Sequence, residues 1–344
     1  MSVSKKKRPT IRDIAETANV SLATVSNVLS GKRQVNSDAG KKVLQVAQEL
    51  GYSTDAKHKP NRQIHFLLYK KFGKVIMDTP FFMEVIGGIE QACWESKYNF
   101  SISYLEPELS TRQNSRLQTF LSSNTSALIL LGTEMSNEDF EPFIGLPYPV
   151  LVLDNYCSTL PLNCLTMDNW SAGRLAVNHF YEMGHRQIGY IGSSIPFKND
   201  SNRLDGFLMG MREHKLELSD ENIIRVEPTA EGALQDFETI LSEREAPLPT
   251  AFFAINDIVA VAAARALKRK GYHLPKDVSL IGMDNVPIGQ IVQPPLTTID
   301  VDKRQMGKMA VQRLIQMIEA PSVNRLSSVM NVNLIQRASV ARIL

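Results

Sequence analysis

The chain has 344 residues, of which 43% are hydrophobic and 22% are charged. This balance is typical of a folded globular protein and excludes a chain disordered throughout, and the length predicts roughly two or three domains. Three scattered cysteines exclude a disulfide framework and a CxxC metal site. No apolar run approaches the ~18 residues that span a membrane, and the basic N-terminus lacks the apolar core of a secretory signal. The sequence therefore predicts a cytosolic protein without a membrane segment.

Charge is divided unevenly along the chain. Residues 1–62 carry 12 Lys and Arg against 5 Asp and Glu, whereas the remaining residues carry 26 against 31. A basic head on a mildly acidic body predicts a polyanion-binding module joined to a second functional part. The alternative from charge alone is a basic tail that serves only solubility.

The basic head, residues 10–51, has the apolar spacing of three short helices. Thr10 predicts the cap of the first helix, with Asp13 as its capping-box partner. Asn19 tolerates the left-handed backbone of a tight turn, and Ser21 predicts the cap of the second helix. Two short helices joined by a tight turn predict a helix-turn-helix, whose second helix enters a DNA major groove.

The second helix is predicted to end at Gly31, and the third to run from near Asn36 to Leu50. The side chains predicted to face the core of the head are Val25, Val28 and Leu29 in the second helix and Val43, Val46, Ala47 and Leu50 in the third. A generic three-helix bundle is the alternative to a DNA-binding head.

The helix N-termini and the outer face of the second helix supply the candidate DNA contacts. Short hydroxyl side chains near helix N-termini suit phosphate contacts, which position a protein on DNA without reading its sequence. The candidate DNA-binding residues are Thr10, Arg12, Ser21, Leu22, Ala23, Thr24, Ser26 and Asn27.

The segment TIRDIAETANVSLATVSNVLSGKRQV resembles the N-terminal signature of the LacI/GalR family of bacterial transcriptional regulators. The matching positions are Ile11, Asp13, Ile14, Ala15, Val20, Ser21, Thr24, Val25, Ser26, Val28 and Leu29, with Tyr52 after the third helix. Where the family commonly has a guanine-reading Arg, this chain has Asn27, which favours adenine. Ala39 and Gly40 replace the family's Thr-Arg pair, which predicts weaker phosphate anchoring there, offset by the Lys5–Arg8 arm.

Residues 53–63, STDAKHKPNRQ, form the predicted linker. In the family a short hinge helix here orders on DNA and wedges a Leu into the minor groove. Lys57 and Asn61 stand where that helix would need apolar residues. The run Ile64–Tyr69 is therefore interpreted as the first strand of the body, and a shifted hinge helix beginning at Pro60 is the alternative.

From residue 64 the chain alternates short apolar runs with amphipathic stretches, which predicts βαβ units and parallel sheets. The predicted strands are Ile64–Lys70, Phe100–Tyr104, Ala127–Leu131, Val150–Asp154, Gln187–Ile191, Ile223–Glu227, Ala251–Ile255 and Val278–Met283. The predicted helices include Phe82–Ser96, Ser171–Met183, Asp205–Glu213 and Ile258–Lys270. About eight strands exceed one comfortable doubly wound sheet, so two lobes are expected, with ligands bound beyond the carboxyl ends of the strands.

The expected fold class is α/β, with an all-α helix-turn-helix head and a two-lobed body of parallel doubly wound sheets that the resemblance implies is periplasmic-binding-protein-like. The predicted parts are 1–52 for the DNA-binding head, 53–63 for the linker and 64–344 for the effector-binding body, whose N-lobe takes 64–167 and 299–328 and whose C-lobe takes 168–298 and 329–344.

Polar pairs follow three predicted strands, namely Asp154-Asn155, Asn256-Asp257 and Asp284-Asn285. Arg203 is predicted to open the helix that follows the Gln187 strand. Carboxylates, amides and an Arg around one cleft form a set that recognises sugar hydroxyls. Ordinary helix capping and turn chemistry is the alternative.

The segments PFFMEVIGGIE, MGHRQIGYIG, RLDGF, AINDIVAVAAARALKRKG, SLIGMDN and PPLTTIDV resemble further landmarks of the same family, so the likeness covers nearly the whole chain. The effector-binding residues that it implies are Phe82, Asp154, Phe197, Arg203, Asn256 and Asp284. Purine-sensing members use additional basic pocket residues, whereas Phe197 stands six positions before Arg203 here, which favours a carbohydrate. For Phe82 a core position is the alternative, and the long segment Lys70–Thr79 is expected to alter the pocket rim.

The residues and the resemblance together predict a sequence-specific DNA-binding repressor of a carbohydrate-use operon, controlled by a sugar or sugar derivative. The expected partners are a pseudo-palindromic double-stranded DNA operator, the effector and a second copy of the chain. No cofactor, metal or catalytic residue is expected, because GxGxxG, GxxxxGK[ST] and HExxH are absent. A transport-associated sugar-binding protein is the alternative.

The dimer contacts of the family involve the first body helix. Here that helix is Phe82–Ser96, and its Val85, Ile89 and Trp94 are predicted to leave apolar surface to cover; a core position is the alternative for Trp94. The last predicted strand, Val329–Gln336, is followed by too few residues for a tetramer-forming coiled coil. A twofold dimer is therefore expected.

Overall fold

The computed structural model describes residues 9–29, 38–50, 52, 62–76, 79–106, 125–157, 159–321 and 324–343. The chain divides into two compact units, a head over Met1–Asn61 and a body over Arg62–Leu344. Four features that the sequence predicts lie outside the described residues, namely the Lys5–Arg8 arm, the helix end at Gly31, the helix start near Asn36 and the linker over 53–61 with its alternative hinge helix.

Three described helices form the head, α1 (Ile11–Ala18), α2 (Leu22–Leu29) and α3 (Asp38–Glu49). The predicted capping box begins α1, because the Asp13 N–H donates to the Thr10 hydroxyl at 3.4 Å and the Thr10 N–H donates to the Asp13 carboxylate at 2.6 Å. Asn19 ends α1 in the left-handed conformation, with φ of 52°. The predicted tight turn between α1 and α2 is therefore confirmed.

Apolar side chains of all three helices form one small core in the head. Its buried members are Ile14, Ala15, Ala18, Val25, Val28, Val43, Val46 and Ala47. The prediction that Leu50 faces this core is wrong: it is 38% exposed, because α3 ends at Glu49 and no longer carries Leu50 onto its buried face. Tyr52 packs against the core instead, and its N–H donates to the carbonyl of Ala47 at 2.8 Å.

Two sheets of six strands form the body. The first sheet has the order β11-β5-β4-β3-β1-β2, with β1 (Gln63–Tyr69), β2 (Asn99–Leu105), β3 (Ala127–Leu131), β4 (Val150–Leu153), β5 (Asn163–Met167) and β11 (Ser327–Met330). The second has the order β12-β10-β9-β8-β6-β7, with β6 (Ile188–Ser193), β7 (Ile223–Val226), β8 (Ala251–Ala254), β9 (Ser279–Met283), β10 (Thr297–Asp300) and β12 (Asn333–Ile335). Neighbouring strands are parallel except β10 and β12, which are antiparallel.

Helices cover both sheets, so each sheet and its helices form one lobe. The first lobe has α4 (Phe81–Glu95) and α10 (Lys303–Glu319), and the second has α5 (Asn169–Glu182), α6 (Lys198–Glu213), α7 (Ala230–Glu243), α8 (Asp257–Arg269) and the short α9 (Ile288–Ile291). The predicted α/β fold class is confirmed. None of the helices in the described ranges has the length and apolar character needed to cross a membrane.

The chain passes between the lobes after β5, after β10 and after β11. The predicted lobe boundaries place residues 299–300 in the N-lobe and 329–330 in the C-lobe, but pairing places them in the opposite sheets, because β10 pairs with β9 and β11 pairs with β5. The predicted single strand Val329–Gln336 is likewise wrong. The chain leaves the first sheet after Met330 and joins the second at Asn333, so two short strands take its place.

Helix α6 begins earlier than its apolar spacing predicts. Arg203 is expected to open this helix, but the helix begins at Lys198 and Arg203 lies in its second turn. The first turn is polar, and buried hydrogen bonds fix it. The Tyr190 hydroxyl donates to Asp200 at 2.6 Å, and Asn199 Nδ2 donates to the carboxylate of Asp154 at 2.9 Å.

Glycines let paired helices approach closely in both lobes. Gly88 of α4 and Gly307 of α10 lie against the backbone of the opposite helix in the first lobe. Gly173 of α5 and Gly206 of α6 do the same in the second lobe. A Cβ at Gly88 would overlap the carbonyl oxygen of Arg304, so the distance between α4 and α10 depends on this glycine.

We expect Gly88→Ala to lower the free energy of unfolding by about 1–3 kcal/mol, the usual cost of overpacking, because α4 and α10 must move apart. Gly87→Ala is the matched control. Its Cβ would meet Arg304 at 3.7 Å, an ordinary contact, so the better helix propensity of Ala leaves stability unchanged or raised by up to about 1 kcal/mol. Urea denaturation measures both variants, and equal stabilities would contradict the close packing.

Candidate functional site

Helix α2 presents one face to the core of the head and the other to solvent. Its two valines are buried, whereas Leu22 is 41% exposed and Ala23, Ser26 and Asn27 are also exposed. These four candidate DNA contacts therefore lie on the solvent side of the helix. That is the surface which the second helix of a helix-turn-helix inserts into the major groove.

The hydroxyl groups predicted to contact phosphate also have bonds within the head. Ser21 Oγ caps α2 by accepting the Thr24 N–H at 3.1 Å, and it lies 2.8 Å from the Thr24 hydroxyl. The Thr10 hydroxyl donates its hydrogen bond to the Asp13 carboxylate at 2.8 Å, within the capping box. Arg12 is exposed on α1 and forms no ion pair with the described residues.

In the body, the carboxyl ends of strands from both lobes meet at one small cavity, which we call the inner cavity. All six residues predicted to bind the effector line it: Phe82 and Asp154 from the first lobe, and Phe197, Arg203, Asn256 and Asp284 from the second. Phe82 is at the same time buried, so its core role and its lining role coexist. The inner cavity measures about 30 Å³, room for little more than one water molecule. The inner cavity as it stands therefore has no room for a ligand the size of a sugar ring.

Arg203 is held by groups from three elements around the inner cavity. Its Nε donates to Asn169 Oδ1 in α5 at 2.8 Å, and its Nη1 donates to the carbonyl of Ile255 after β8 at 2.5 Å. Its Nη2 lies 3.5 Å from Met167 Sδ in β5 of the first lobe. The side chain is 5% exposed. A guanidinium buried this deeply needs such partners, because an unpaired buried charge is strongly destabilising.

Asp154 follows β4 and connects the two lobes. The Thr133 hydroxyl of the first lobe donates to its Oδ2 at 2.7 Å, and Asn199 of the second lobe donates to its Oδ1 at 2.9 Å. Burial raises the pKa of Asp154 to about 6, while these two bonds and the positive charge of Arg203 act to lower it. The carboxylate is thus oriented by protein groups from both sides of the cleft.

Asp284 follows β9 and differs from Asp154 in having an open carboxylate. Its φ of 101° is unusual for a residue with a side chain. No residue in the described part of the chain donates a hydrogen bond to this buried carboxylate. Burial raises the pKa of Asp284 to about 7, opposed by the charges of Arg203 and Lys303 and reinforced by Asp154 and Asp300. Backbone strain and an open carboxylate at one residue indicate a binding role.

The two residues of the Asn256-Asp257 pair have different roles. Asn256 lines the inner cavity, whereas Asp257 holds the chain around it. Asn256 Oδ1 caps α8 by accepting the Val259 N–H at 2.8 Å, while the residue also lines the inner cavity. Asp257 is fully buried and accepts the Thr298 hydroxyl at 2.5 Å and the Val286 N–H at 2.8 Å. The capping and turn alternative is therefore correct for Asp257 and for one atom of Asn256.

Sequence reasoning missed three polar residues of this site. Thr133 and Asn199 line the inner cavity, and Asn169 orients the Arg203 guanidinium. Asn199 precedes Arg203 by four residues on α6, a spacing that places both on one helix face. Asn199 could have been found from the sequence if the start of α6 had been known. No pattern in the neighbouring sequence marks Thr133 or Asn169 as residues of the site.

The site contains no arrangement that suggests a metal centre. Across the described ranges, no group of three His, Cys, Asp or Glu side chains is placed to hold a metal ion. The inner cavity offers groups that can form hydrogen bonds to a ligand, since two carboxylates, two amides and a guanidinium line it together with three phenylalanine rings.

A helix-turn-helix head on a two-lobed ligand-binding body defines a class of DNA-binding regulators, and comparison with known proteins agrees. Residues 10–55 match the family model described as bacterial regulatory proteins, lacI family, and residues 177–340 match the periplasmic binding protein-like domain. The ribose operon repressor of Haemophilus influenzae is 31% identical over 96% of this chain and 98% of its own. The transcriptional repressor PurR of Actinobacillus pleuropneumoniae is 30% identical over 90% and 91%.

Among solved structures, the lac repressor dimer bound to operator and the anti-inducer ONPF matches with a TM-score of 0.72 and 24% identity, over 97% of this chain and 100% of that one. The chain belongs to the LacI family of bacterial regulatory proteins and is a DNA-binding transcriptional regulator. The predicted family is confirmed.

We expect Asp284→Asn to raise the free energy of unfolding at pH 8. The folded chain keeps a proton on Asp284 up to a pKa of about 7, whereas an unfolded Asp loses it near a pKa of about 3.9. Between these values the folded state binds more protons, so the contribution of Asp284 to stability falls as pH rises. The Asn variant does not lose this stability as pH rises. At about 1.4 kcal/mol per pKa unit, its free energy of unfolding at pH 8 should exceed that of the parent chain by a few kcal/mol.

Urea denaturation between pH 4 and pH 8 measures this effect. The advantage of Asp284→Asn over the parent chain should shrink towards pH 4. Asp205→Asn is the matched control, because Asp205 is exposed on α6 and does not line the inner cavity. An advantage that stays the same at pH 4 and pH 8 would show that burial of the Asp284 charge is not its cause.

Proposed function

We propose that the protein represses a carbohydrate-use operon and that a sugar or sugar derivative, bound between the two lobes, controls its affinity for the operator. The observation that carries this proposal is the setting of Arg203. It is held by groups from both lobes, and its charge acts on the pKa values of both Asp154 and Asp284.

The inner cavity supplies what ring hydroxyls need. Each hydroxyl both donates and accepts hydrogen bonds. The open carboxylate of Asp284 accepts, the guanidinium of Arg203 and the amide of Asn256 donate, and Phe82 and Phe197 offer apolar faces to the ring. The name of the ribose operon repressor, one of the relatives, supports the same class of effector.

A purine base is the alternative effector. Purine-sensing members of the family use additional basic residues in the pocket. Among the described residues, Arg203 is the one cationic side chain that lines the inner cavity, and two carboxylates face it. This balance of charge favours a ligand rich in hydroxyl donors over a purine base.

Control of DNA affinity follows from thermodynamic linkage. The lobes must separate to admit a sugar ring to the inner cavity, so the effector changes the equilibrium between lobe arrangements. If operator DNA prefers one arrangement, effector and operator change each other's affinity by the same factor. The head binds DNA, and the body acts by binding rather than by catalysis. As a DNA-binding regulator, the protein acts in the cytoplasm.

Effector control is tested by measuring operator binding with and without sugars. We expect Asp284→Asn to abolish the effector response while operator binding without effector persists, because the Asp284 side chain accepts no bond from described residues. Fluorescence anisotropy of an operator selected from random DNA reports both quantities during titration with a sugar panel. Asp205→Asn should titrate like the parent chain. An Asp284→Asn variant that also titrates like the parent would exclude Asp284 from the site.

Base reading is tested at Asn27. We expect Asn27→Ala to reduce discrimination between operator and random DNA by about 1–3 kcal/mol, the value of one bidentate base contact. Deleting residues 5–8, which lie outside the described residues, should instead weaken both DNAs alike and flatten the salt dependence, because phosphate contacts do not read sequence. Filter binding at several salt concentrations separates the two effects. An unchanged ratio in Asn27→Ala would contradict base reading.

The surface available for dimer formation is smaller than the sequence predicts. Val85 and Ile89 of α4 are fully buried in the first lobe, so the expectation that they leave apolar surface to cover is wrong. Met83 is 68% exposed and Trp94 is 80% exposed. We infer that a second copy of the chain covers this face of α4, the helix that the family resemblance implies in the dimer contacts.

Sedimentation at micromolar concentration should give the mass of a dimer without DNA. We expect Trp94→Asp to shift the chain towards a monomer, because it places a charge on the face that the second copy covers. Ile291→Asp is the matched control, since Ile291 is 74% exposed on α9 of the second lobe. A tetramer mass, or a dimer indifferent to Trp94→Asp, would contradict this assembly.

A further inference from the structure

A second, much larger cavity lies beside the inner cavity and shares Phe197 with it. We call it the outer chamber. Its volume is about 720 Å³, within the roughly 300–1,000 Å³ of small-molecule sites. The first lobe contributes Phe72 and Tyr156 to its lining, and the second contributes the first turn of α6 from Lys198. The inner cavity must widen to admit a ring, whereas the outer chamber already has the necessary volume.

One wall of the outer chamber is fixed by a buried carboxylate. Glu134, 3% exposed, accepts the backbone N–H groups of Phe72 at 2.7 Å, Gly73 at 2.8 Å and Val75 at 3.0 Å. This arrangement holds the loop after β1 in place, and Lys74 of the same loop forms an ion pair with Glu227 of the second lobe. The chamber is thus bounded by residues 72–75, which Glu134 holds in place and which reach across the cleft through Lys74.

The lining of the outer chamber suits a sugar unit. The rings of Phe72 and Tyr156 remain 41% and 40% exposed, so both are accessible to a ligand. Asn155 is 3% exposed and donates through Nδ2 to the carbonyls of Gly132 at 2.7 Å and Met135 at 3.0 Å. Its Oδ1 accepts no hydrogen bond from the described residues and is free to accept one from a ligand hydroxyl.

Charge in the outer chamber favours a neutral ligand. Two lysines and two glutamates line it, so their formal charges cancel. Lys71 is paired with Asp139 at 2.7 Å, and Glu134 is bound to backbone N–H groups. A phosphate or carboxylate group would need an excess of cationic side chains, which this lining does not provide.

We propose that the outer chamber is a second sugar subsite and that the effector is a neutral glycoside of two or more units. One ring binds in the inner cavity among Asp154, Arg203 and Asp284, and the next ring binds in the outer chamber against Tyr156 and Phe72. Phe197 lines both cavities and therefore lies beside the junction of the two rings. This inference rests on the proposed function, because it names the class of carbohydrate that the same cleft takes.

Isothermal titration calorimetry of the full chain tests the proposal with defined sugars: ribose, glucose, galactose, lactose, and the series maltose to maltotriose and cellobiose to cellotriose. In one series the disaccharide should bind at least about tenfold more tightly than its monosaccharide, a gain that corresponds to 1.4 kcal/mol. Tyr156→Ala should remove this gain and leave monosaccharide affinity unchanged, and Phe72→Ala should reduce it. Tyr272→Ala is the matched control, because Tyr272 is 37% exposed and lines neither cavity.

The outcomes separate this proposal from the one on which it depends. A monosaccharide that binds as tightly as every longer sugar, with Tyr156→Ala and Phe72→Ala without effect, would overturn the second subsite and leave the carbohydrate effector intact. A disaccharide that binds more tightly than its monosaccharide to the parent chain, and equally so to Tyr156→Ala and Phe72→Ala, would also overturn the second subsite. If no sugar of the panel binds, the proposed effector class fails, and the subsite fails with it.

Discussion

The buried guanidinium of Arg203 is the constraint on which the cleft depends. A charge taken out of water is tolerated only where hydrogen bonds and opposite charges replace its hydration. Here an amide of α5 and a carbonyl after β8 supply bonds from the second lobe, and the thioether of Met167 in β5 is the contact from the first. Asp154 and Asp284 supply the negative charge. Because these partners come from several strand ends, they fix the position of the Arg203 guanidinium in the cleft.

The cleft is built at a cost in stability. Asp284 combines a left-handed backbone with a buried carboxylate whose pKa is raised by desolvation, and neither feature helps the chain to fold. Asp154, by contrast, has two hydrogen bonds from the protein. Hydrogen bonds within the protein thus satisfy the Asp154 carboxylate, while the Asp284 carboxylate accepts none from the described residues.

The sequence predicted the parts of the fold whose signal is local. Strands such as ALILL and AFFA are fully buried, and their continuous apolar runs identify them. The strands SSVM and NLI are partly exposed, and the sequence predicted one strand across both of them. Their division between two sheets is set by backbone pairing with distant strands, which no local side-chain pattern shows. The same limit applies to the site. Arg203, Asp154 and Asp284 stand out by residue type and family resemblance, whereas Asn169 gains its role from a partner in a different helix.

The arrangement of β11 and β12 has a consequence for how the body folds during synthesis. These adjacent strands form one edge of each sheet, although every other strand of the first sheet precedes residue 168. Ser339 then bonds to β9 and to the start of β10. Neither lobe can complete its hydrogen-bonded edge until residues 327–335 have left the ribosome. Both lobes therefore acquire their final strand at nearly the same moment. Premature termination before residue 327 makes the buried strands β5 and β10 the edges of their sheets and exposes them to aggregation.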